Sequence, residues 1–269
     1  MSGTLRLPEG GKITYDRKGD GPPLVLVSGL GGRASFWDRV IPELTRHFTI
    51  ITYDHLGTGR SSRFDGPYSI QGMADNLVLL MADIGVKSAV LVGHSTGGAI
   101  CQEIAVNRPE LIDRLILSAT WTKACPYFTR LFQYRLESLD RGGLNLYRKL
   151  GVLLQYPPLW ISENEVLVDA ELNAPDPTDV DREIRITKAR IQAILDHDLS
   201  AKIGSIDIPT LIVTAADDMV VPAYHSEQLE RLIPGARRIV LANGGHFVPR
   251  TQKAAYAAVL LDFLRKKLQ

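Results

Sequence analysis

The residues that most clearly suggest a chemical role lie in the segment VLVGHSTGGAI, residues 90–100. Within it, GHSTG (residues 93–97) has the pattern G-x-S-x-G, preceded by an apolar run and followed by a helical pattern. At a tight turn between a strand and a helix, a serine hydroxyl projects clear of the sheet, and flanking glycines avoid collisions across the turn. The backbone strain of such a turn must be held by the surrounding structure. The pattern therefore predicts that Ser95 is a nucleophile.

A serine hydroxyl is a weak nucleophile and needs a neighbouring base. Of the six histidines, His246 is the predicted base, because it follows the last strand-like run and two glycines in LANGGHFVP. Those glycines allow a loop to bring the imidazole over the sheet. At so tight a turn the side chain of His94 should point away from Ser95, so we interpret it as a packing residue. Surface or structural roles are expected for the remaining histidines, His47, His55, His197 and His225.

An imidazole base needs a carboxylate that fixes its tautomer and stabilises the imidazolium. Asp217 and Asp218 follow the strand-like run TLIVTA, and parallel sheets place their sites at the carboxyl ends of strands. The chain order is then Ser, Asp, His. Asp218 is the predicted acid and Asp217 is the alternative, and one or both could instead cap the next helix.

A tetrahedral anionic intermediate needs hydrogen-bond donors. One predicted donor is the backbone N–H of Thr96, the residue after the predicted nucleophile. The second is expected from the glycine-rich segment SGLGGR (residues 28–33), with the N–H of Leu30 as the candidate. These two groups form the predicted oxyanion hole.

Short runs rich in Val, Ile and Leu predict the strands that carry these residues. Because the runs are continuously apolar rather than alternating, they predict strands covered on both faces, as in a parallel sheet. Helical patterns between them predict a doubly wound sheet. The predicted strands are residues 23–29, 48–54, 88–95, 114–120, 209–217 and 237–245, and the predicted helices are Ser69–Gly85, Thr96–Asn107 and Ala254–Leu268.

One long segment interrupts the alternation of strands and helices. It has aromatic residues, proline-rich turns and helical patches but no convincing strand, and it is far longer than ordinary connections. We interpret residues 122–199 as a helical cap insertion, with residues 1–121 and 200–269 forming the core. The alternative is simply a longer crossover between strands.

Composition argues against several classes of function. A net charge of +1 disfavours an extended nucleic-acid surface. No apolar run reaches the ~18 residues of a membrane span, and the N-terminal residues lack a signal-peptide pattern. Cys101 and Cys125 match neither a disulfide framework nor a metal site, which fits a reducing compartment. We therefore expect a cytoplasmic protein with a small-molecule substrate and no nucleic-acid or membrane partner, as a monomer or homodimer.

No cofactor or metal is expected. The segment GTGRSS (residues 57–62) begins like a dinucleotide-binding loop but has Ser62 at the third glycine position, and no phosphate-binding P-loop pattern is present. Asp196-His197-Asp198 lacks the helical spacing of metal ligands and is interpreted as a solvated turn.

Taken together, these motifs resemble the α/β-hydrolase superfamily over nearly the whole chain. LVSGLGG resembles its oxyanion loop, with Ser28 where histidine is usual, and YDHLGTGRSS resembles its D-x-R-G-x-G-x-S loop, with Leu56 where arginine is usual. LVGHSTGG, DDMVVP and GGHFVP resemble its nucleophile, acid and histidine segments. The resemblance implies an α/β-hydrolase fold with a mostly parallel sheet of about eight strands and a helical cap, and it places the acid at Asp218.

A narrower resemblance is carried by VSGLGGRASFW, YDHLGTG, LLQYPPLWIS and AADDMVVP. These segments are similar to the aminoacrylate hydrolases of pyrimidine utilisation, and the enol-lactone hydrolases of aromatic catabolism resemble the chain almost as well. The resemblance implies hydrolysis of a small ester, lactone or amide- or enamine-like metabolite.

Candidate residues for the substrate pocket are mostly aromatic and lie in the predicted cap or in the loops beside the predicted site. Trp121 is favoured because it follows a strand end that faces the site. Arg33 or Lys123 is a candidate for holding a substrate carboxylate, and a surface role is the alternative for each. The predicted pocket residues are Gly29, Phe36, Trp121, Tyr127, Trp160 and Phe247, with Trp37 and Tyr156 as further candidates, and the alternative for the aromatic residues is the core of the cap.

Three kinds of function remain open on the sequence. The first is a serine hydrolase that forms an acyl-enzyme. The second keeps the pocket but cleaves a C–C bond or performs lyase or cofactor-free chemistry. The third is a ligand receptor on a hydrolase fold, which the complete Ser–Asp–His set disfavours.

Overall fold

The computed structural model describes residues 1–8, 10–175 and 177–265. Within these residues the chain forms an eight-stranded sheet with the order β1-β2-β4-β3-β5-β6-β7-β8. The strand β2 is antiparallel to both of its neighbours, and the other pairs are parallel. The strands are β1 Ser2–Arg6, β2 Lys12–Lys18, β3 Pro23–Val27, β4 Thr49–Tyr53, β5 Ala89–His94, β6 Ile112–Ser118, β7 Thr210–Ala215 and β8 Arg237–Leu241.

The mostly parallel sheet predicted from the apolar runs is confirmed, since each of the six runs overlaps one of the strands β3 to β8. The first two strands were not read from the sequence. Their residues are largely polar and only partly buried, because β1 and β2 lie at one edge of the sheet. A half-exposed edge strand lacks the continuous apolar run that identifies a buried one.

Helices cover both faces of the sheet. Along β3, Leu24 and Leu26 belong to one apolar cluster and Val25 and Val27 to another, as the two-residue period of a strand requires. The first cluster includes residues of α1 and α10, and the second includes residues of α2, α3 and α8. The helices are α1 Ile41–Leu44, α2 Ile70–Asp83, α3 Thr96–Asn107, α4 Pro126–Gln155, α5 Pro158–Glu163, α6 Glu165–Leu172, α7 Val180–Asp196, α8 Tyr224–Leu232, α9 Val248–Thr251 and α10 Lys253–Arg265.

The predicted helix boundaries agree with the structure where it describes them. The Ser69 side chain accepts a hydrogen bond from the N–H of Gly72 at 3.0 Å, so it caps α2 as predicted. The helix α3 has the predicted bounds. The last helix, predicted over Ala254–Leu268, is α10, and the final three residues of that prediction lie outside the described residues.

Among the residues described between β6 and β7 there are four helices, α4 to α7, where the sequence predicts a helical insertion. The helix α4 bends at Gly143, whose φ of +58° lies in the left-handed region that glycine adopts without steric cost. It packs against α7. The exact domain boundaries at residues 122 and 199 stay a prediction. In the part of the chain that the structure describes, no helix combines the length and apolarity that a membrane crossing needs.

Candidate active site

Ser95 lies in a strained turn between β5 and α3. Its φ is 55° and its ψ is −120°, a conformation that costs of order 1–3 kcal/mol for a residue other than glycine. The end of β6 holds it there, because the N–H of Ser95 donates to the Ser118 carbonyl at 2.8 Å. The Thr120 hydroxyl donates to the Ser95 carbonyl, also at 2.8 Å. The turn therefore presents the Ser95 hydroxyl at the carboxyl end of the sheet, as predicted.

The glycines around Ser95 are required by the close approach of neighbouring backbone. A Cβ on Gly97 would lie 2.1 Å from the Val27 carbonyl oxygen, and a Cβ on Gly93 would lie 2.3 Å from the Gly97 carbonyl oxygen. A Cβ on Gly98 would lie 2.5 Å from the Thr120 Cβ. These distances are too short for real contacts, so the turn and its packing on β3 and β6 need glycine.

His246 lies directly beside Ser95. Its Nε2 is 3.0 Å from the Ser95 Oγ, and its Nδ1 is 2.9 Å from the Asp218 Oδ2. All three side chains are buried, with 7% or less of each residue exposed. Because an ionised carboxylate only accepts hydrogen bonds, Nδ1 carries the hydrogen towards Asp218. The lone pair of Nε2 is then free to accept the hydroxyl hydrogen of Ser95.

Asp218 is held rigidly at the end of β7. Its Oδ1 accepts the N–H groups of Val220 and Val221, each at 2.8 Å, which leaves Oδ2 for His246. The carboxylate thus has fixed partners on both oxygens. The sequence left two acids open, and the structure places Asp218 in contact with the imidazole.

Asp217 has a different set of partners. Its carboxylate accepts the N–H groups of Gly245 at 2.8 Å and of Gly244 at 3.2 Å, in the loop that precedes His246. One aspartate therefore contacts the imidazole, and its neighbour fixes the backbone that carries that imidazole.

The segment SGLGGR lies over the Ser95 side chain. A Cβ on Gly29 would lie 3.2 Å from the Ser95 Cβ, so the loop passes as close as a glycine allows. Among the described residues, no backbone hydrogen bond engages the N–H of Leu30. Thr96 is the first residue of α3, so its N–H has no partner within the helix. Both N–H groups proposed as oxyanion donors are consistent with that role.

Arg190 of α7 ties the inserted helices to this loop. Its Nε donates to the Leu30 carbonyl at 3.1 Å, and its terminal nitrogens contact the Leu56 carbonyl at 3.4 Å and the His55 Nδ1 at 3.0 Å. The side chain is buried, and this burial lowers the pKa of its guanidinium from the usual value. Neither Arg190 nor Asp54 was identified from the sequence. The Asp54 carboxylate accepts the Ala34 N–H at 2.7 Å and so braces the same loop.

A cavity of about 1120 Å³ opens beside the Ser95–His246 pair. Its walls come from the loops after β3, β4 and β8 and from the helices α4, α6 and α7. Three of the predicted pocket residues line it, Gly29, Phe36 and Phe247.

Comparison with known proteins identifies the family. A family model described as the alpha/beta hydrolase fold matches residues 22–249. The chain belongs to this family. It is therefore a hydrolase, and the superfamily resemblance inferred from the motifs is confirmed.

Individual relatives agree with this assignment. "Putative carbamate hydrolase RutD" of Pseudomonas savastanoi pv. phaseolicola is 37% identical over 248 residues, which cover 91% of this chain and 94% of the relative. A hydrolase of Pseudomonas aeruginosa PA01 superposes with a TM-score of 0.88 at 27% identity, covering 98% of both chains. The enol-lactonase of Burkholderia xenovorans LB400 superposes with a TM-score of 0.87 at 22% identity, and the match covers 98% of this chain and 100% of the enol-lactonase chain. The narrower resemblances to aminoacrylate hydrolases and enol-lactonases are confirmed as resemblances, the latter at the level of the fold.

His94 of this α/β-hydrolase is buried, as the packing interpretation requires. Its ring stacks on Phe36 with 4.7 Å between centroids, and its Nδ1 is 3.3 Å from the Ser118 Oγ. The ring centroid of His246 is only 4.9 Å away. Burial, and to a smaller extent the charge of His246, hold the pKa of His94 well below its usual value. His94 therefore packs as a neutral ring beside His246, with the two rings tilted by 45°.

The structure corrects the prediction for Trp121. The side chain is completely buried, with its ring 4.6 Å from that of Phe128, and it is not part of the cavity wall. Although Trp121 follows the end of β6, the turn after that strand directs the indole into the apolar core under α4.

Tyr127 and Trp160 also lie outside the cavity wall of the hydrolase. The Tyr127 hydroxyl donates to the Met219 carbonyl at 2.5 Å, and 41% of the residue is exposed. Tyr127 therefore joins α4 to the loop after β7, which carries Asp218, at the surface. Trp160 stacks on Tyr156 with 4.5 Å between ring centroids. The prediction failed because sequence spacing does not show which face of an inserted helix meets the cavity.

The two cations suggested for a substrate carboxylate have different surroundings. Arg33 lines the cavity at its exposed end. Lys123 forms an ion pair with Asp198 at 2.7 Å and is not on the cavity wall. The expectation of a solvated turn at Asp196-His197-Asp198 is wrong for His197, which is buried with its Nδ1 3.4 Å from the Glu103 carboxylate. Within the described ranges, no cluster of three or more His, Cys, Asp or Glu side chains could hold a metal ion.

Proposed function

We propose that this α/β-hydrolase is a serine hydrolase of small acyl compounds, with esters, lactones and carbamate- or amide-like bonds as its substrate class. Ser95 is the nucleophile, His246 is the general base and Asp218 orients and stabilises the imidazolium. The observation that carries the proposal is the continuous hydrogen-bonded series of Ser95, His246 and Asp218, with separations of 3.0 and 2.9 Å, at the wall of a cavity.

The first half of the reaction forms an acyl-enzyme. The Ser95 Oγ attacks the acyl carbon while its proton passes to the Nε2 of His246, which the Asp218 carboxylate stabilises as an imidazolium. The carbonyl electrons move onto oxygen, and the N–H groups of Thr96 and Leu30 donate to that oxyanion. Collapse of the intermediate breaks the bond to the leaving group, which takes the proton from His246.

The second half hydrolyses the acyl-enzyme. Water enters the position of the leaving group and gives a proton to His246 as its oxygen attacks the acyl carbon. A second tetrahedral oxyanion uses the same two donors. Its collapse releases the acid and returns the proton to Ser95. The Ser95–His246–Asp218 contacts support this cycle, because the same imidazole serves as base and acid in both halves.

The relatives support the choice of substrate class. The name of the Pseudomonas savastanoi relative refers to a carbamate hydrolase, and carbamates contain an acyl carbon that Ser95 could attack. Enol-lactones belong to this class, and the motifs of the chain resemble those of their hydrolases. The enamine 3-aminoacrylate is assayed as well because the motifs also resemble those of its hydrolases, although its C–N bond is not attached to an acyl carbon and its hydrolysis would use direct attack by water.

The proposal is tested by turnover of a 4-nitrophenyl ester series of increasing acyl length, with a carbamate, an enol-lactone and 3-aminoacrylate assayed beside it. Replacing Ser95 by alanine should lower kcat on the accepted substrates by about 10⁴-fold or more. The exposed Ser205→Ala variant is the matched control and should retain wild-type turnover. Equal activity in the wild type and in Ser95→Ala would reject the proposal. Product release without a transient acyl-enzyme would instead indicate direct attack by water.

A further inference from the structure

A buried arginine in α4 has no role in the chemistry described so far. Arg135 is only 5% exposed, and its Nε is buried without a hydrogen-bond partner. Among the described residues, no carboxylate forms an ion pair with Arg135, and no acceptor forms a hydrogen bond with its guanidinium. Arg190 of α7, which is also buried, differs because two carbonyls and an imidazole contact its nitrogens.

Aromatic rings are the nearest partners of the Arg135 guanidinium. Its central carbon lies 4.4 Å from the ring centroid of Tyr147 and 5.5 Å from that of Phe132. A Cβ placed on Gly151 would be 3.8 Å from one of its terminal nitrogens. Tyr147, Phe132 and Gly151 all line the large cavity, as Arg135 does. The guanidinium is therefore part of the cavity wall, in a gap that a side chain at position 151 would narrow.

The aromatic contacts leave the buried charge incompletely compensated. Cation–π attraction recovers only part of the cost of removing a cation from water, and buried guanidinium groups ordinarily have carboxylate or carbonyl partners as well. A ligand with a carboxylate would supply the missing partner. The planar guanidinium fork matches a carboxylate in a bidentate arrangement that a point charge does not offer.

The part of α4 beside Arg135 is connected to the loop that carries His246. Gly151 is one helical turn, or about 6 Å, from Gln155 at the end of α4. The Gln155 carbonyl accepts the N–H of Phe247 at 3.0 Å, directly after His246. An anion on Arg135 would thus lie along the same cavity wall as the imidazole.

We propose that Arg135 binds a carboxylate of the substrate, so that the physiological substrate is a small acyl compound with a free carboxylate remote from the bond that is cleaved. This inference rests on the proposed function, because it specifies the substrate of the same site. Arg135 is a binding residue in this scheme and takes no part in proton transfer.

The test compares paired substrates that differ only in the distal charge. Mono-4-nitrophenyl esters of succinate, glutarate and adipate carry a free carboxylate, and their 4-nitrophenyl alkanoate counterparts of equal chain length do not. The wild type should prefer at least one charged ester over its neutral counterpart by 10-fold or more in kcat/KM. Arg135→Met should lower kcat/KM for that ester by 30-fold or more, mainly through KM, and change the neutral ester by less than 3-fold.

Arg141→Met is the matched control. Arg141 lies on the same helix, is exposed and pairs with Glu137 at 2.7 Å, so its loss should change both substrates by less than 3-fold. Arg135→Lys keeps the charge without the fork, and it should retain an intermediate preference for the charged ester. Should Arg135→Met fail to fold, the lysine variant carries the test, and unaltered preference in it would overturn the proposal.

A binding measurement separates this proposal from the catalytic one. Calorimetric titration of succinate, glutarate and adipate should give binding to wild type and to Ser95→Ala, and at least 10-fold weaker binding to Arg135→Met. Binding lost in Arg135→Met together with equal turnover in wild type and Ser95→Ala would reject the proposed function but support the anion site. Equal loss on charged and neutral esters, or no preference for any charged ester together with no dicarboxylate binding, would overturn the anion site.

Discussion

Asp217 and Asp218 are neighbours in sequence, but they contact different parts of the loop that carries His246. Asp218 contacts the imidazole itself, and Asp217 holds the backbone of Gly244 and Gly245. Both acids follow β7, so their position in the sequence could not separate the two roles. The separation comes from the turn after β7, where the N–H groups of Val220 and Val221 fix the Asp218 carboxylate.

Asn substitutions should separate the two acids by their effects on turnover. Asp218→Asn should lower kcat by up to about 10⁴-fold, because the amide stabilises the wrong imidazole tautomer and cannot balance the imidazolium. Asp217→Asn should lower kcat by 10-fold or less, since Asp218 still contacts His246 while the loop loses a charged acceptor. Steady-state kinetics on a neutral aryl ester measures both, with thermal melting as the check on folding. A larger kcat loss in Asp217→Asn would reverse the assignment.

At the scale of elements, the inserted helices contribute buried arginines that the sequence did not reveal. In α7, Arg190 lies four residues after Ile186 and four before Ile194, all on the buried side of the helix. In α4, Arg135 lies three residues after Phe132 and four before Leu139, again on the buried side. A cation that interrupts an apolar stripe at helical spacing was the available signal. The partner of Arg190 could not be named from the sequence, because Leu30 is 160 residues away from it along the chain.

Loss of Arg190 should damage catalysis through the oxyanion loop. Arg190→Met removes the donor to the Leu30 carbonyl, so the Leu30 backbone, whose N–H is the proposed oxyanion donor, loses a contact that holds it beside Ser95. We expect kcat to fall about 10- to 100-fold, less than the ~10²–10³-fold cost of deleting an oxyanion donor outright, with a smaller change in KM. Arg190→Lys should not restore kcat, because one ammonium cannot reach the three acceptors that the guanidinium fork contacts.

Arg185→Met supplies the control for this prediction. Arg185 is on the same helix, is 62% exposed at its side chain and lies 3.8 Å from the Asp65 carboxylate. The kcat of the Arg185→Met variant should stay within 2-fold of the wild-type value. Full kcat in a well-folded Arg190→Met variant would show that the loop holds its position without α7.

At the scale of the whole molecule, the sheet brings three distant segments to one edge. Ser95 follows β5, Asp218 follows β7 and His246 follows β8, so parallel strand ends place residues 151 positions apart within hydrogen-bond distance. This convergence was predictable, since continuous apolar runs mark the buried strands and parallel strands share a carboxyl edge. The walls of the cavity were less predictable: Trp121 lies in the core because helix packing, rather than local sequence, decides which face is covered.

Buried neutral histidines should make the folded state sensitive to acid. Burial holds the pKa values of His55 and His94 well below the usual 6.5 and lowers that of His225 to about 4. Below pH 6.5 the unfolded chain therefore binds protons that the folded chain does not, so stability falls as pH falls. Each such group contributes a slope of up to about 1.4 kcal/mol per pH unit.

Urea unfolding between pH 7.5 and pH 4.5 measures this slope. His225→Gln should reduce it by up to about 1.4 kcal/mol per pH unit, with the largest effect midway between pH 6.5 and pH 4, because one of the three excess protons is removed. A difference between this variant and the wild type in the free energy of unfolding at pH 7.5 is separate from the slope and does not count for or against the prediction. An unchanged slope in His225→Gln would mean that folding does not lower the pKa of His225.

Activation of Ser95 by His246 can be measured by covalent labelling of the serine. A fluorophosphonate should add one phosphonyl group to the folded wild-type protein, detected by intact mass, and peptide mapping should place that group on Ser95. Ser95→Ala should gain no mass, and His246→Ala should react far more slowly although its serine is intact. Absence of labelling in folded wild type, or a label on another residue, would contradict the account.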